Sequence, residues 1–295
     1  MFKDRYINPL TDFGFKKLFG EEPNKEFLIS FLNSVLPDYH QIKDLNYSKN
    51  ERLRNTPLDR RAIFDLHCVA EDGTKFIVEV QKAKQNYFKD RSIYYATFPI
   101  QEQAEQGDWN FKLTPIYTVA ILDFVFNETK AKERVKTTAY LKDQENEILY
   151  DKLCFIYLEM PKFNKTLEEL KTNQDKWLYV LKHLSNLNDR PEALQKRIFE
   201  SFFRQAEISS FSPTELQAYH QSLKYYRDMH NVINTHYEDG LKKGKKEGIE
   251  EGLEKGKIEM VLNFLRNNVS VEVAAEASGL SIEEIEKLKQ KLKSS

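Results

Sequence analysis

Three residues with oxygen-bearing side chains, Asp65, Glu79 and Gln81, are spaced so that a β-hairpin would bring them together. The flanking segments 63–70 and 74–81 both alternate apolar residues with other types, and the three residues between them end in glycine. This pattern predicts two antiparallel strands joined by a type I turn and a glycine in the left-handed region. Directly opposed residues on one face of such a pair have Cβ atoms about 5 Å apart. Two carboxylates at that separation can share one divalent cation.

The length of the turn decides which residues oppose each other. With a three-residue loop, Ala70 pairs with Thr74, and Asp65 therefore lies opposite Glu79. A two-residue Asp-Gly turn would slip the pairing by one residue and place Asp65 on the same face as valines. We expect the first register, with Gln81 on the side of Glu79, because it leaves the other face almost wholly apolar: Phe64, Leu66, Cys68, Phe76, Val78 and Val80.

An Asp followed after a turn by Glu-x-Gln resembles the active-site signature of the PD-(D/E)XK nuclease superfamily, whose last position is usually Lys. Other segments make the chain similar to the recombination-promoting nuclease and putative transposase family over nearly its whole length. They are residues 8–20, the Glu79-Val80-Gln81 variant, Arg91 to Tyr95, the strand 115–123 and a glycine-repeat tail. The resemblance implies a metal-dependent DNA endonuclease of bacteria and their mobile elements, with a restriction-endonuclease-like core.

Phosphodiester hydrolysis needs a metal ion that activates water and shields the scissile phosphate, and Mg²⁺ prefers oxygen ligands. Asp65 and Glu79 can supply two of them, and the resemblance implies the backbone carbonyl of Val80 as a third. Without the resemblance, such a carboxylate pair is more often solvated or paired with a cation. The resemblance therefore favours an Mg²⁺ site here.

Gln81 departs from the common signature, since a neutral amide can orient a water but lacks the positive charge of Lys. We expect Arg91 to supply that charge, because Tyr87, Arg91 and Tyr95 share one face of a predicted helix. These tyrosines could stack on nucleotides, although aromatics at this spacing more often fill a core. Lys82 is one residue out of phase with Gln81, and we expect it to point away.

Three further features have two interpretations each. Asp12 could add an acidic group, as the family's first helix does near the site, but it follows Thr11 at a helix start and could equally serve the helix dipole. His67 lies on the site face, where a buried structural histidine is the better interpretation. The basic cluster Lys49, Arg52, Arg54, Arg60 and Arg61 could contact phosphates or form an ordinary solvated loop.

Composition restricts the class of protein. The 295 residues are 40% hydrophobic and 13% aromatic, which is ample for a buried core. Since 45 Lys and Arg stand against 46 Asp and Glu, any DNA surface must come from segregated charge. Two cysteines in apolar runs indicate reduced core thiols in a cytoplasmic protein. We find no apolar stretch that approaches a membrane span and no signal-peptide pattern.

The order of patterns predicts a mixed α/β core followed by helices. We expect the nuclease core in residues 1–160, a helical cap in 161–238 and a helical tail in 239–295, with the restriction-endonuclease-like three-layer arrangement that the resemblance implies. The predicted helices are 12–19, 25–36, 87–103, 166–184, 191–206 and 213 to about 237, and the predicted strands are 41–48, 116–126, 135–141 and 148–158.

In the tail, glycine recurs every four residues among Lys and Glu, at positions 240, 244, 248, 252 and 256. Five interior glycines would cost an isolated helix about 4 to 5 kcal/mol relative to Ala. A partner helix packed on the glycine stripe would offset this cost, and a charged, partly helical spacer is the equal alternative. The residues beyond resemble half of a helix-turn-helix, but their acidic second helix favours self-association over DNA reading.

These features predict a Mg²⁺-dependent DNA endonuclease that acts in recombination or on mobile elements and forms a homo-oligomer, a dimer in the simplest case, through its tail. Two rivals remain. In the first, the change at Gln81 has left a weak or inactive protein that binds DNA without cutting it. In the second, the chain is chiefly an assembly module whose tail is the working part.

Overall fold

The computed structural model describes residues 4–48, 65–104, 107 and 109–293. The basic cluster between Lys49 and Arg61, and Phe64 of the predicted apolar face, lie outside this part. The chain divides into two compact units, Met1–His230 and Asn231–Ser295. In the described part, no helix is both long enough and apolar enough to cross a membrane.

The first unit contains a six-stranded sheet with the strand order β1-β2-β3-β4-β6-β5. Strand β3 pairs parallel with β4, and β4 pairs parallel with β6, while the outer pairs are antiparallel. All residues of β4 are buried, as expected for a central parallel strand that is covered on both faces. The strands are β1 (Leu45–Tyr47), β2 (Leu66–Ala70), β3 (Lys75–Gln81), β4 (Ile116–Leu122), β5 (Lys136–Lys142) and β6 (Ile148–Glu159).

Helices cover both faces of this sheet. The α-helices of the described residues are α1 (Asp12–Phe19), α2 (Lys25–Val35), α3 (Phe88–Gln101), α4 (Asn173–His183), α5 (Arg197–Gln205), α6 (Pro213–Arg266), α7 (Val271–Ser278) and α8 (Ile282–Lys293), of which α7 and α8 belong to the second unit. One sheet face, with Phe76 and Val78, packs in a single core with α1, α2, α4 and α5. The opposite face packs on α3 through residues such as Ile77 and Phe98. The predicted three-layer α/β core is therefore confirmed.

The β2–β3 hairpin has the predicted register. Leu66 pairs with Val78 and Cys68 with Phe76. The turn closes through the Ala70 N–H, which donates to the Thr74 carbonyl at 2.8 Å. The glycine that ends the turn adopts a φ of +84°, in the left-handed region. One step beyond the last ladder pair, this register sets Asp65 beside Glu79.

Helix α1 is fixed by the residues that precede it. The Thr11 hydroxyl donates to the Asn8 carbonyl at 2.8 Å and accepts the Gly14 N–H at 3.0 Å. A Cβ on Gly14 would lie 2.1 Å from the Asn8 carbonyl oxygen, so only glycine fits this close approach. The sequence motif 8–14 thus sets the start of α1, whose first residue is Asp12.

Helix α6 continues beyond the predicted end near Tyr237 and runs through all five glycines of the repeat to Arg266. Residues 234–257 are all exposed, and a Cβ on any of these glycines would meet no atom within 4 Å. Three i,i+4 ion pairs lie along this stretch: Lys243 with Glu247, Lys246 with Glu250 and Lys255 with Glu251. Exposed pairs of this kind contribute under about 0.5 kcal/mol each, so they do not offset the glycine cost.

The end of α6 packs with α7 and α8 into a small core of its own. Val261, Ala274 and Ile285 are fully buried there, one from each helix. The Ser270 side chain caps the start of α7 by accepting the Val273 N–H. Gly279, in the left-handed conformation, caps its end. These signals account for the predicted helical segments beyond the glycine repeat.

Candidate active site

Glu79, Gln81 and Arg91 form one contiguous polar cluster. Strand β3 supplies Glu79 and Gln81, which are both buried and project on the side of α3. From α3, one guanidinium nitrogen of Arg91, Nη2, donates to Glu79 Oε1 at 2.5 Å and to Gln81 Oε1 at 2.6 Å. The Gln81 amide nitrogen in turn donates to the Ala83 carbonyl at 2.8 Å. The amide is thus oriented with its oxygen toward the arginine.

The guanidinium of Arg91 is held from several sides. It lies over the rings of Phe88 and Tyr95, with 4.9 and 5.5 Å from its carbon to the ring centroids. Its other terminal nitrogen donates to the Gln85 side chain. Tyr87, at the start of α3, has a φ of +63° and is 80% exposed. Arg91 and Tyr95 therefore share a face of α3 as expected, whereas Tyr87 precedes the helix and is directed to solvent, so the prediction was wrong for this residue.

Asp65 lies immediately before β2. Its Oδ2 accepts the backbone N–H of Val80 at 2.6 Å, which ties the carboxylate to the middle of the Glu79-Val80-Gln81 segment. The predicted metal ligands, Asp65, Glu79 and the main chain of Val80, are therefore neighbours. In the part of the chain that is described, however, no three His, Cys, Asp or Glu side chains are grouped to hold a metal ion.

Burial disfavours the ionised form of both carboxylates. Desolvation, together with the nearby charge of Asp65, raises the pKa of Glu79 to about 7, although Arg91 acts in the opposite direction. Burial also raises the pKa of Asp65; the Val80 N–H opposes this shift and the charge of Asp12 adds to it. Carboxylates whose pKa is raised by burial and by a neighbouring negative charge are frequent at functional sites.

A cleft of about 840 Å³ opens beside Asp65. Asp12 lies in its lining at the start of α1 and pairs with Lys16 at 2.8 Å. Since the charge of Asp12 acts on Asp65, the structure brings this predicted residue near the site, and its position in the first turn also suits the helix dipole. Asp12 lies on α1 and Arg91 on α3, and no described contact joins them. The two residues therefore approach the carboxylates from different elements.

Lys82 does not point away from the site as expected. It is half-buried and lines the same cleft as Asp12 and Asp65. Burial lowers its pKa, while the charges of Asp12 and Asp65 act to raise it. The expectation was wrong because β3 ends at Gln81, so the alternation of a strand no longer governs the next residue. Lys82 is thus a cation that the sequence pattern missed.

A second group that the sequence pattern missed lies where β4 ends. Asp123 Oδ2 accepts hydrogen bonds from the Tyr226 hydroxyl at 2.8 Å and contacts His230 Nε2 at 2.9 Å. The Asp123 N–H donates to the Gln81 carbonyl at 2.9 Å, which links this group to the end of β3. No local pattern predicts these contacts, since Asp123 and its two partners on α6 are about a hundred residues apart.

His67 has the position of a structural histidine. It lies on β2 opposite Ile77, is 6% exposed, and burial lowers its pKa. The charges nearest to it are those of Glu102 and Lys75 rather than those of the acidic pair. The structural interpretation given above is therefore the one that its surroundings support.

The donor set fits a hard divalent cation, although the described residues offer two carboxylates here and no group of three metal-ligating side chains. Carboxylate and main-chain carbonyl oxygens are the ligands that Mg²⁺ prefers, and Mg²⁺ commonly keeps several waters while it binds one or two carboxylates. Arg91 Nη2 already places one positive charge on Glu79 Oε1. The surroundings of Glu79 Oε1 therefore already stabilise its negative charge with a cationic group of the protein.

Comparison with known proteins agrees with this geometry. Residues 9–236 match the family described as PD-(D/E)XK nuclease family transposase. Neither the curated proteins nor the solved structures give a significant match. The matched region contains Asp65, Glu79, Gln81 and Arg91, and every residue that lines the cleft. From the hairpin register, the Glu-x-Gln cluster and this match, the chain belongs to the PD-(D/E)XK nuclease family transposases and has their restriction-endonuclease-like fold.

Proposed function

We propose that this protein is a Mg²⁺-dependent DNA endonuclease that hydrolyses phosphodiester bonds. The observation that carries the proposal is the placement of two carboxylates, the half-buried Asp65 and the buried Glu79, around the Val80 backbone at the end of β3. Membership of the family supports a nuclease-type function. The choice of Mg²⁺ rests on the all-oxygen donor set.

In the proposed mechanism, Asp65, Glu79 and the Val80 carbonyl would hold the ion. A bound divalent cation would lower the pKa of a water and shield the scissile phosphate. Glu79 must be ionised to bind it, and because burial raises its pKa to about 7, a proton would compete with the ion below that pH. Gln81 holds the guanidinium of Arg91 in place. Arg91 then supplies positive charge to the pentacovalent phosphate. In the common signature, a lysine supplies this charge.

The cleft beside Asp65 suits the approach of a phosphate backbone. Lys16 and Lys82 both line it, and Lys82 is held over the rings of Tyr225 and Tyr226 at 5.6 and 6.0 Å. Phosphate contacts of this kind give sequence-independent affinity that falls with salt. We therefore take DNA as the substrate and this cleft as its entry to the carboxylates, with Asp12 as an additional acidic residue at the mouth.

The remaining assignments extend this proposal. We place residues 1–160 as the nuclease core, 161–238 as its helical cap and 239–295 as a tail that joins copies into a homo-oligomer, a dimer in the simplest case. A role in recombination or on mobile elements follows from the transposase description of the family. A cytoplasmic location is supported by Cys68 and Cys154, which are free and buried.

One observation favours an alternative, a protein that binds DNA or assembles without cutting. Arg91 already occupies Glu79 Oε1, and Gln81 brings no charge of its own. If the guanidinium does not yield this oxygen to a metal ion, the carboxylates remain a structural ion pair. DNA binding without hydrolysis would then be the activity.

The test is nicking of supercoiled plasmid by the purified full-length protein. We expect nicks with Mg²⁺, none with a chelator, and none from Glu79→Gln, which keeps the shape of the side chain and removes its charge. Glu147→Gln, at an exposed residue of the β5–β6 turn, is the matched control and should cut like the wild type. DNA binding without any nicking would favour the alternative, and cutting by Glu79→Gln would overturn the site.

A further inference from the structure

No described residue of the chain packs on the middle of α6. Residues 234–257 are exposed throughout, including three large aliphatic side chains: Leu241, Ile249 and Leu253 are 61%, 54% and 63% exposed. The small core formed by α7 and α8 begins only at Val261. The ion pairs along this stretch do not offset its glycines, as described above. Exposed aliphatic side chains grouped on such a helix indicate a surface that a partner covers.

The exposed aliphatic residues and the glycines form neighbouring rows. Leu241, Ile249 and Leu253 are separated by multiples of four residues, and each follows a glycine of the repeat directly. On a helix surface, residues four apart form a ridge, and ridges of one helix pack into the grooves of another. The row of glycines, around which the structure has open space, is such a groove. Each copy of the helix therefore carries both a ridge and a groove of matching period.

The charges of the same segment are divided along the helix. Residues 242–246 carry four cations and no anion: Lys242, Lys243, Lys245 and Lys246. Residues 247–254 carry four anions and no cation: Glu247, Glu250, Glu251 and Glu254. The boundary between the two halves falls at Glu247, midway between Leu241 and Leu253. Two copies of the segment that run in opposite directions are therefore complementary in charge.

We propose that residues 240–256 of α6 pair with the same segment of a second copy in the antiparallel direction. This inference rests on the proposed self-association of the tail and adds the surface and the orientation. A parallel pair in register would set four lysines against four lysines and four glutamates against four glutamates. The antiparallel pair sets each basic half against an acidic half, and like charges directly opposed across an interface are unfavourable. It also brings Leu241 of one copy beside Leu253 of the other.

Cysteine cross-linking in the full-length protein tests the orientation. Leu241→Cys and Leu253→Cys are made separately, and the two variants are also co-expressed with different affinity tags. A short bis-maleimide is added and the products are identified by mass spectrometry. The native Cys68 and Cys154 are fully buried, so the wild type serves as the background control. Glu283→Cys, at an exposed site on α8, is the control for random collisions.

We expect a cross-link between positions 241 and 253 in the co-expressed sample that is at least about tenfold stronger than self-cross-links of either variant alone. Equal self-cross-linking at 241 and at 253 would show a parallel pair and overturn the orientation. A monomer by light scattering, or an oligomer with no cross-link at either position, would overturn the surface itself. None of these outcomes bears on plasmid nicking, so failure of this inference is distinguishable from failure of the nuclease proposal.

Discussion

Arg91 Nη2 lies between Glu79 Oε1 and Gln81 Oε1, at 2.5 and 2.6 Å, and so joins α3 to the two polar residues at the end of β3. The position that carries Lys in the common nuclease signature therefore receives its positive charge from another element. A lysine at position 81 would oppose this guanidinium, whereas the neutral amide accepts a hydrogen bond from it. Gln81 and Arg91 are best understood as one unit.

We expect Arg91→Ala to lower the rate of DNA cleavage by about 10²-fold, the size of a lost electrostatic stabiliser, with a smaller change in DNA affinity. Single-turnover cleavage and fluorescence anisotropy measure the two quantities separately. Lys89→Ala is the control, since it removes a cation from the same helix that pairs with Glu128 instead. A loss of affinity with unchanged turnover would instead make Arg91 a phosphate-binding residue.

Lys82→Met should weaken DNA binding about tenfold and reduce the slope of log affinity against log salt by roughly one, because one phosphate contact is lost from the cleft. Lys82→Arg should restore most of the affinity, since it keeps the charge. Lys84→Met provides the comparison at an exposed lysine that bonds to Asn127. If both methionine variants bind and cut alike, Lys82 has no particular role in the cleft.

The buried Glu79 predicts a pH-dependent stability. Its pKa is raised from 4.5 to about 7, so the fold favours the neutral form and loses stability as the pH rises between these values. The shift corresponds to about 3 kcal/mol. Glu79→Gln cannot ionise, and its free energy of unfolding relative to wild type should therefore rise by roughly this amount from pH 4.5 to pH 8.

Urea denaturation of the metal-free proteins at the two pH values measures this difference. Glu147→Gln, which changes an exposed carboxylate, should follow the wild type at both. Stability curves for wild type and Glu79→Gln that stay parallel across the range would mean that Arg91 keeps Glu79 ionised throughout.

Gly14→Ala should destabilise the first unit by about 2 kcal/mol or more, because the added Cβ would overlap the Asn8 carbonyl oxygen and displace the start of α1. Glu26→Ala is the control, since Glu26 is an exposed residue of α2 in the same unit. Thermal unfolding compares them. Equal midpoints for the two variants would show that the segment before α1 can shift without cost.

Truncation after Tyr237 should leave a folded protein of lower mass by light scattering. The cut keeps His230 and its contact with Asp123, and it removes most of the second compact unit. We expect nicking to persist, because each copy retains its carboxylates, while cutting of both strands falls. An unchanged oligomeric state would move the search for the interface to the first unit.

The hairpin and its acidic pair could be predicted from sequence because their determinants are local. The alternation of residue types and the glycine at position 73 fix the register within 17 residues. The side on which Lys82 lies could not be predicted, since it follows the last residue of β3. The contacts of Asp123 with Tyr226 and His230 join distant segments and leave no local pattern.

The extent of α6 could not be predicted for a different reason. The low helix propensity of glycine argues against a helix between Gly240 and Gly256. It favours an end near Tyr237 for the helix that starts at Pro213. The segment contains no proline, however, and its Lys and Glu residues favour a helix. Propensity alone did not decide between these opposing signals.

The three-residue turn from Glu71 to Gly73 has a consequence for how this family can change by insertion and deletion. The turn lies at the opposite end of β3 from Gln81, far from any chemistry, yet its length alone sets Asp65 beside Glu79. Loss of one turn residue would exchange the two faces of a strand and carry Asp65 toward the apolar core. Substitutions that keep the residue count of this turn and its Gly73, which has a φ of +84°, leave the two carboxylates opposed, whereas a single-codon deletion there would separate them.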